Sequence, residues 1–334
     1  MYISHREEQT SGLIAYLNTL ESLINLCKTA LKPHMQGLFE VLLDLWNSEV
    51  SELAKSAMSA LAEAVEAESL NGLFALELPL LLPNLMQDYK HWEVRSKARL
   101  AFQTLVIGAG SAVVDYFSHI IDVISVNTQL GKDSAVRSSM LEVLSALLAA
   151  PSLRPALRPF SQRLFREVLC PVLHWKPGAA GSQVRLSGIK CVLALLTEAI
   201  PEPAVLVSDW TYIFPVLQTC LEDDYDPNLR LFACETLGEL VHLCRHEVRE
   251  AEVNEVCAAL RRRLDDSKDF VRLAACEGLK KGLGLGKTVD CLGEVVKGLV
   301  SELEEENASI VQAAKEALAC TQVPDPSLPG LSPV

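Results

Sequence analysis

Residues 213–243, which read IFPVLQTCLEDDYDPNLRLFACETLGELVHL, hold the pattern that decides the fold. Apolar residues recur every three or four positions on both sides of a polar turn, and this spacing predicts two amphipathic helices. In the turn, Asp226 is suited to cap the second helix. Pro227 then stands at the first helical position, where its missing N–H costs nothing. The stretch therefore predicts a helical hairpin.

The phrase that opens the second helix, an apolar residue followed by arginine, recurs along the chain. Its copies are Val94-Arg95, Val136-Arg137, Val184-Arg185, Leu229-Arg230 and Val271-Arg272. The arginines stand 42, 48, 45 and 42 residues apart, and weaker copies lie at Leu53-Ala54 and Ile310-Val311. A mostly small residue follows three positions later, a larger apolar residue seven positions later and, in four copies, a leucine ten positions later. These offsets lie on one stripe of an α-helix, so each copy predicts a helix with one apolar face.

Helix pairs with a period of about 43 residues, an Asp-containing turn and Val-Arg at the start of the second helix resemble HEAT repeats over roughly residues 12–320. The predicted fold is all-α, an ARM/HEAT-type α-α superhelical solenoid of about seven helix pairs. Stacking is required because one repeat cannot bury its own apolar stripe. We expect the solenoid to occupy residues 1–320 and a Pro-rich disordered tail to occupy residues 321–334. The opening helix resembles the second half of a pair, so we expect the C-terminal segment of a longer array.

The HEAT resemblance also implies a role for the repeated arginines. In HEAT proteins the turn aspartate and the second-helix arginine bond between successive repeats, which implies a structural ladder here. Its expected members are Arg95, Arg137, Arg185, Arg230, Arg272, Asp133, Asp226 and Asp269. The rival interpretation, a concave row of arginines that binds phosphate, fits poorly with the formal net charge of −13.

Charge and composition argue against several classes of partner. The net charge of −13 opposes broad attraction to nucleic-acid phosphates or anionic lipid, and no apolar run reaches the roughly 20 residues of a membrane span. The ten cysteines include no C-x-x-C pair and are interpreted as buried thiols in a reducing compartment. We therefore expect a cytoplasmic protein with no nucleic-acid or membrane partner. The four tryptophans lie near inter-helix turns, where we expect them to pack between repeats.

Two motifs suggest chemistry, and each has a simpler interpretation. Residues 281–288, KGLGLGKT, end like a phosphate-binding loop, but that loop needs glycine at position 281 and a preceding strand. The segment is better interpreted as a helix stop and linker. His242 and His246 have a spacing that can hold zinc, but the catalytic glutamate of that motif is missing between them. We therefore predict no catalytic residue, metal, cofactor or small-molecule substrate.

The predicted second helices carry charged residues off their apolar stripe. Five or nine positions after the ladder arginine stand Glu142, Lys190, Glu235, Glu239, Glu277 and Lys281. These positions should face solvent and form one mostly acidic surface. We expect this surface to dock a protein partner through a basic element of that partner.

Three segments carry a closer resemblance. They are Phe214-Pro215-x-Leu217-x-x-x-Leu221-Glu222-Asp223 with the helix after it, Leu173-His174-Trp175 with the Val184-Arg185 helix, and the His91-Trp92-x-Val94 turn. Together they resemble late repeats of the HEAT-repeat axonemal dynein assembly factors. The resemblance implies a cytoplasmic, non-catalytic factor that pre-assembles dynein arms for cilia or flagella, with dynein chains, chaperones or other assembly factors as partners. The alternatives are another HEAT scaffold, such as a phosphatase regulatory subunit or transport adaptor, and a nucleotide switch at Gly282–Thr288.

Overall fold

The computed structural model describes residues 2–176, 178–198 and 201–321, with side chains from Thr10 onward. Every regular element within these ranges is a helix, which confirms the predicted all-α class. The expected Pro-rich tail at 321–334 lies outside the described residues except for Thr321.

The chain divides into two compact units, the first ending at Leu153 and the second beginning at Arg154. The helices of the first unit are α1 Tyr2–Cys27, α2 Met35–Leu45, α3 Ser51–Ala64, α4 Leu70–Leu85, α5 Lys97–Gly108, α6 Phe117–Asn127 and α7 Ser134–Ala149. Those of the second unit are α8 Arg154–Leu157, α9 Ser161–Arg163, α10 Cys170–Leu173, α11 Ala179–Thr197, α12 Pro203–Ser208, α13 Trp210–Leu221, α14 Pro227–Leu243, α15 Glu250–Arg261, α16 Asp269–Leu283, α17 Leu292–Ser301 and α18 Ala308–Ala319. A π-helical turn, Leu164–Leu169, joins α9 to α10.

The helices associate as consecutive pairs. In the first unit the pairs are α2/α3, α4/α5 and α6/α7, and α1 packs on α3. In the second unit they are α10/α11, α13/α14, α15/α16 and α17/α18. The described ranges thus hold seven pairs, the number predicted. In the second unit the second helices α11, α14, α16 and α18 each pack against the next, so the apolar seam is continuous from pair to pair.

The predicted apolar stripe forms this seam. The larger apolar residue stands seven positions after the ladder arginine, or after Ala54 and Val311 in the two weaker copies. It is buried in all seven copies, at Leu61, Phe102, Leu144, Val192, Leu237, Leu279 and Leu318. Burial of such side chains is worth about 1.5–3 kcal/mol each. Because the buried surface belongs to two neighbouring pairs, the stability of each pair depends on its neighbour.

The helix α11 is long and apolar enough to cross a membrane by length and composition, a property that the sequence pattern did not indicate. In this structure 61% of its most apolar window is buried inside the protein. The helix packs against α10 and α14, and its Arg185 is fully buried among them.

Close packing between α4 and α5 depends on Gly108. A Cβ atom built on Gly108 would stand 2.5 Å from Cδ1 of Phe74. The Phe74 ring cannot move aside easily, because it packs edge-to-face against Phe39 and Trp46 at centroid distances of 5.0 and 5.4 Å. The absence of a side chain at residue 108 is therefore required for this contact.

A carboxyl group, Glu77, is buried in the same region. Its side chain is fully buried in α4, and neither of its oxygens hydrogen-bonds a described residue. Burial, and then repulsion from Glu40, raises the pKa of the Glu77 carboxyl. The protonated form is therefore favoured by folding, and ionisation of this group opposes folding.

We expect Gly108→Ala to destabilise the protein by about 1–3 kcal/mol, because the new methyl group overlaps the Phe74 ring. The matched control is Gly37→Ala in α2, where a Cβ would meet nothing within 4 Å. That substitution should stabilise the protein by about 0.5–1 kcal/mol through lower entropy of the unfolded chain. Urea unfolding of the two variants measures both effects. Equal effects of the two substitutions would contradict the packing argument.

We expect Glu77→Gln to raise the free energy of unfolding at pH 7 by an amount on the order of 1 kcal/mol. A raised carboxyl pKa contributes stability that is fully present below the unfolded pKa of about 4.3 and is lost as the pH rises through the folded pKa. The gain of the variant should therefore disappear near pH 4. Thermal unfolding at pH 7 and pH 4 measures it, with the exposed Glu63→Gln as the control. A gain of the same size at both pH values would show that ionisation is not its cause.

Candidate functional site

The best-formed polar contact of the second unit centres on Arg185. This arginine of α11 and its partner Asp223 both have side chains that are 1% exposed, and Nη1 lies 2.5 Å from Oδ2. Nε donates to the carbonyl oxygen of Leu173 at 3.0 Å, and Nη2 donates to that of Thr219 at 2.9 Å. One guanidinium thus joins its own repeat to the turn of the next one.

The next two ladder positions repeat this arrangement. Arg230 donates through Nε and Nη2 to Asp266 at 2.8 and 2.9 Å, and through Nη1 to the carbonyl oxygen of Asp223 at 2.8 Å. Burial raises the pKa of Asp266, but hydrogen bonds from Arg230 and the Lys268 amide outweigh it and lower that pKa. Arg272 donates to the carbonyl oxygen of Asp266 at 3.0 Å. Successive turns of the second unit are therefore linked in series.

The carboxylate partners differ from the expected ones at several positions. Arg272 bonds Asp269 at 3.2 Å and also Glu305 of the next turn at 2.9 Å. Asp133 and Asp226 instead accept the amides of Ala135 and Asn228, at 2.8 and 2.9 Å, and so cap their own helices. A carboxylate that caps the first helical turn satisfies free backbone amides. Arg230 therefore bonds Asp266 of the next repeat in place of Asp226.

The first unit uses backbone carbonyls in place of carboxylates. Arg137 is buried, and its Nε donates to the carbonyl oxygen of Thr128 at 3.0 Å. Burial lowers the pKa of Arg137. Arg95 is exposed and precedes α5, because that helix begins only at Lys97. Arg99 is buried in its place, and its Nη2 donates to the carbonyl oxygen of Val94 at 2.7 Å.

Four of the expected partner-binding residues come together on α14 and α16. We name Glu235, Glu239, Glu277 and Lys281 the second-helix face. Nζ of Lys281 lies 2.5 Å from Oε1 of Glu239. Burial, and then repulsion from Glu277, raises the pKa of Glu235, while Lys281 opposes that shift. The face is therefore a partly desolvated group of three carboxylates with one lysine.

Glycine brings these two helices close enough to place the carboxylates together. A Cβ atom built on Gly238 of α14 would stand 3.0 Å from Cα of Gly278 of α16. The backbones approach this closely only because both positions lack side chains. Charges at neighbouring positions on α14 and α16 then act on one another at short range.

The other two expected residues lie elsewhere. Lys190 is exposed on α11, with Nζ 5.1 Å from the centroid of the Phe232 ring on α14, a cation–π contact. Glu142 belongs to the first unit, where its Oε2 accepts a hydrogen bond from Nε2 of Gln103 at 2.9 Å. The structure thus adds Lys190 to the border of the second-helix face and places Glu142 in another unit.

The phosphate-loop-like segment lies in the connection between α16 and α17, directly after a helix. Nζ of Lys287 donates to the carbonyl oxygen of Val248, and Oγ1 of Thr288 lies 3.2 Å from Oε1 of Glu250. The amide of Asp290 donates to Oδ1 of Asn254 at 2.6 Å. These bonds attach the connection to the preceding repeat.

The structure also shows the contacts of the histidine pair and the burial of the cysteines. Nε2 of His246 accepts from Nε of Arg245 at 3.1 Å. Among the side chains that the structure describes, no group of three His, Cys, Asp or Glu could hold a metal ion. The predicted buried thiols are confirmed at Cys170, Cys191, Cys220, Cys234, Cys244, Cys257 and Cys276. The prediction is wrong for Cys27, which is exposed, and Cys291 and Cys320 are only partly buried. Desolvation raises the pKa of Cys191 to about 12.

Sequence reasoning missed three residues that complete the ladder: Asp223, Asp266 and Glu305. The repeated sequence phrase follows each turn, whereas these acids stand in or before the next turn. The bonds span 38, 36 and 33 residues. Acidic residues at nearly one repeat length after each ladder arginine could have indicated them.

No family model matches this chain. Dynein axonemal assembly factor 5 of Xenopus laevis is 26% identical over 270 residues, which cover 78% of this chain and 32% of that protein. The Mus musculus protein is 25% identical over 297 residues, covering 86% and 35%, and the Homo sapiens protein is 21% identical over 286 residues, covering 83% and 33%. The chain thus spans about a third of the length of these relatives.

Solved structures show the same fold. The crystal structure of Kap121p matches with a TM-score of 0.62 and 10% identity, covering 94% of this chain and 36% of that one. An engineered protein gives a TM-score of 0.54 at 18% identity over 85% and 68%, and importin beta gives 0.52 at 11% over 90% and 37%. The chain has the ARM/HEAT repeat fold, as predicted, and is similar in sequence to dynein axonemal assembly factors.

We expect Arg185→Met to destabilise the protein by about 3–5 kcal/mol, because it leaves the buried Asp223 carboxylate without its cation. The double variant Arg185→Met/Asp223→Asn should recover part of this loss, since no buried charge remains and the new amide at position 223 still provides an acceptor oxygen. Guanidinium unfolding measures the cycle. The control is Glu316→Ala, which breaks the exposed Lys280–Glu316 pair of 2.6 Å and should change stability little. A double variant less stable than Arg185→Met alone would contradict the assignment.

Proposed function

We propose that this chain is a non-catalytic scaffold for the pre-assembly of axonemal dynein arms in the cytoplasm, in support of ciliary or flagellar motility. The observation that carries the proposal is the similarity to dynein axonemal assembly factor 5 from three vertebrates over 78–86% of the chain. The match covers only 32–35% of each relative, so the proposal concerns the contribution of this segment of repeats.

The arrangement of the charged groups supports a scaffold. The most deeply buried ion pair of the second unit, Arg185–Asp223, joins successive turns, and Arg230–Asp266 does the same. These contacts fix the register of the repeats. The second helices meanwhile present charged side chains at their outer positions, where they can contact another protein.

The second-helix face favours a basic partner. Lys281 already pairs with Glu239, which leaves Glu235 and Glu277 repelling each other across α14 and α16. A lysine or arginine from a partner would relieve that repulsion and replace the water lost on docking. We therefore propose that a basic element of a dynein chain, a chaperone or another assembly factor docks on the second-helix face, with Lys190 at its border. Glu142 belongs to the other unit and is not part of this proposed docking surface.

The alternative scaffolds are a phosphatase regulatory subunit and a transport adaptor. Kap121p and importin beta share the fold with this chain at 10% and 11% identity, and such a likeness concerns the fold alone. The sequence similarity to the assembly factors therefore favours the assembly role over these two alternatives. Identification of the bound proteins separates these functions.

The test is affinity purification of the tagged full chain from ciliated cells. We expect dynein heavy or intermediate chains among the recovered proteins. We expect Glu235→Lys/Glu239→Lys/Glu277→Lys to lower their recovery about tenfold or more, because like charges across an interface cost several kcal/mol.

The matched control for that test reverses three exposed acidic residues of the first unit, Glu68→Lys/Asp88→Lys/Asp115→Lys, and should leave recovery unchanged. Phosphatase subunits or Ran-type proteins in place of dynein chains would refute the assembly role. Equal recovery by the two triple variants would refute the second-helix face while leaving the assembly role standing.

A further inference from the structure

Three large aromatic side chains of the second unit are exposed at successive connections between paired helices, two in the turn itself and Phe270 as the second residue of α16. Trp175 is 58% exposed, Tyr225 is 59% exposed and Phe270 is 39% exposed. By contrast, Trp92 and Trp210 are buried, with 5% and 4% exposure, in line with the packing expected for the tryptophans. Trp175 therefore departs from that expectation. Tryptophan and tyrosine are enriched at protein interfaces, where the ring packs and the polar atom stays accessible.

The ladder places these turns side by side. Arg185 bonds both Leu173, which ends α10 just before Trp175, and Asp223, which stands two residues before Tyr225. Arg230 then bonds both Asp223 and Asp266, and Asp266 precedes Phe270 by four residues. Each guanidinium spans one pair of neighbouring turns. The turns that carry the three rings therefore follow one another from repeat to repeat in the second unit, with one ring to each repeat.

The same turns are acidic. Exposed carboxylates stand next to two of the rings in the sequence, Asp224 beside Tyr225 and Asp269 beside Phe270. Asp265 is exposed in the turn before Phe270, and the next turn adds Glu304, Glu305 and Glu306. Arg272 links that turn to the series through Glu305, at 2.9 Å. The ladder neutralises the buried Asp223 and Asp266, Arg272 pairs with Asp269 and Glu305, and the exposed Arg262 pairs with Glu222. Beyond these pairs, the exposed acids Asp224, Asp265, Glu304 and Glu306 outnumber the basic residues Lys176 and Lys268. We name Trp175, Tyr225 and Phe270 with Asp224, Asp265 and Asp269 the turn edge.

We propose that the turn edge docks an extended, arginine-rich segment of a partner protein. A guanidinium stacks on an aromatic face and is attracted by neighbouring carboxylates, so both features of the edge favour the same group. The negative charge disfavours nucleic acids and anionic lipid surfaces. This surface differs from the second-helix face, and the inference does not depend on the role in dynein assembly.

The spacing of the repeats predicts the spacing of the arginines in the partner's segment. Packed helices lie about 8–10 Å apart, so neighbouring rings of the turn edge should be separated by about that distance. A polyproline II segment rises about 3.1 Å per residue and presents every third residue on the same side, which is about 9 Å per turn. A segment with arginine at every third position therefore offers one guanidinium to each ring.

The probe is a fluorescein-labelled peptide of four Arg-Pro-Pro repeats, and fluorescence anisotropy with the full chain measures its Kd. We expect Trp175→Ala/Tyr225→Ala/Phe270→Ala to weaken binding about 10–100-fold, as three cation–π contacts require. Asp224→Lys/Asp265→Lys should weaken it at least tenfold. These side chains are exposed, and an unchanged circular dichroism melting curve verifies the fold of each variant.

Three controls test whether the peptide binds specifically to the turn edge. Tyr16→Ala/Tyr212→Ala removes two exposed rings that lie off the turn edge and should leave the Kd unchanged. Glu235→Lys/Glu239→Lys/Glu277→Lys, which tests the second-helix face, should change the Kd less than threefold. A peptide of the same composition with its four arginines contiguous should bind at least tenfold more weakly. Failure of the peptide to bind the wild-type chain, equal Kd values for the triple aromatic variant and the wild type, or equal binding of the two peptides would overturn the proposal.

Discussion

The fold of the second unit depends on the need of a buried guanidinium for a partner. Arg185 lies in the apolar seam, where a charge without a counter-ion is strongly unfavourable, and Asp223 of the next turn provides that counter-ion. The requirement can be met only when neighbouring pairs stack in one register. Buried ion pairs add little net stability compared with apolar contacts. We therefore attribute the stability of the stack to the buried apolar stripe and the register of neighbouring repeats to the arginines. The exposed edge and faces then follow from that alignment.

The sequence predicted the helix pairs, their number and the buried stripe because these features are local. Three or four consecutive turns of a helix suffice to display a period of 3.6 residues, and each copy repeats the same offsets. The arginines bond acidic residues that stand 33–38 positions further along the chain. These partners depend on how neighbouring turns pack together, and a local sequence pattern contains no information on that packing. The buried arginine of this repeat is Arg99, whereas the sequence predicted Arg95, and the reason is similar. An extended segment at Trp92 delays the start of α5 until Lys97, so the buried position falls one turn later.

The second-helix face was predictable in position but not in electrostatics. Offsets along a helix place Glu235, Glu239 and Glu277 on the solvent side, as the sequence indicated. Their interaction depends on how closely α14 and α16 approach, and that distance is set by Gly238 against Gly278. The exposure of Trp175 was also beyond sequence reasoning, because a tryptophan near a turn packs inward or points outward according to the neighbouring repeat. Features that depend on contact between neighbouring repeats therefore cannot be predicted from the sequence pattern alone.

The buried thiols have a consequence for observing how the repeats open. The seven buried cysteines all belong to the second unit and are distributed over α10, α11, α13, α14, α15, α16 and the segment after α14. Burial keeps them protonated, with a pKa of about 12 at Cys170, Cys191, Cys244, Cys257 and Cys276. An alkylating reagent attacks only the thiolate, so each sulfur reacts when its own helix separates from its neighbours. The pairs α10/α11, α13/α14 and α15/α16 each hold two of these thiols, and Cys244 follows α14, whereas α17/α18 holds no buried cysteine. The rate at which each thiol is alkylated therefore reports the opening of its own pair, without the need to introduce new cysteines.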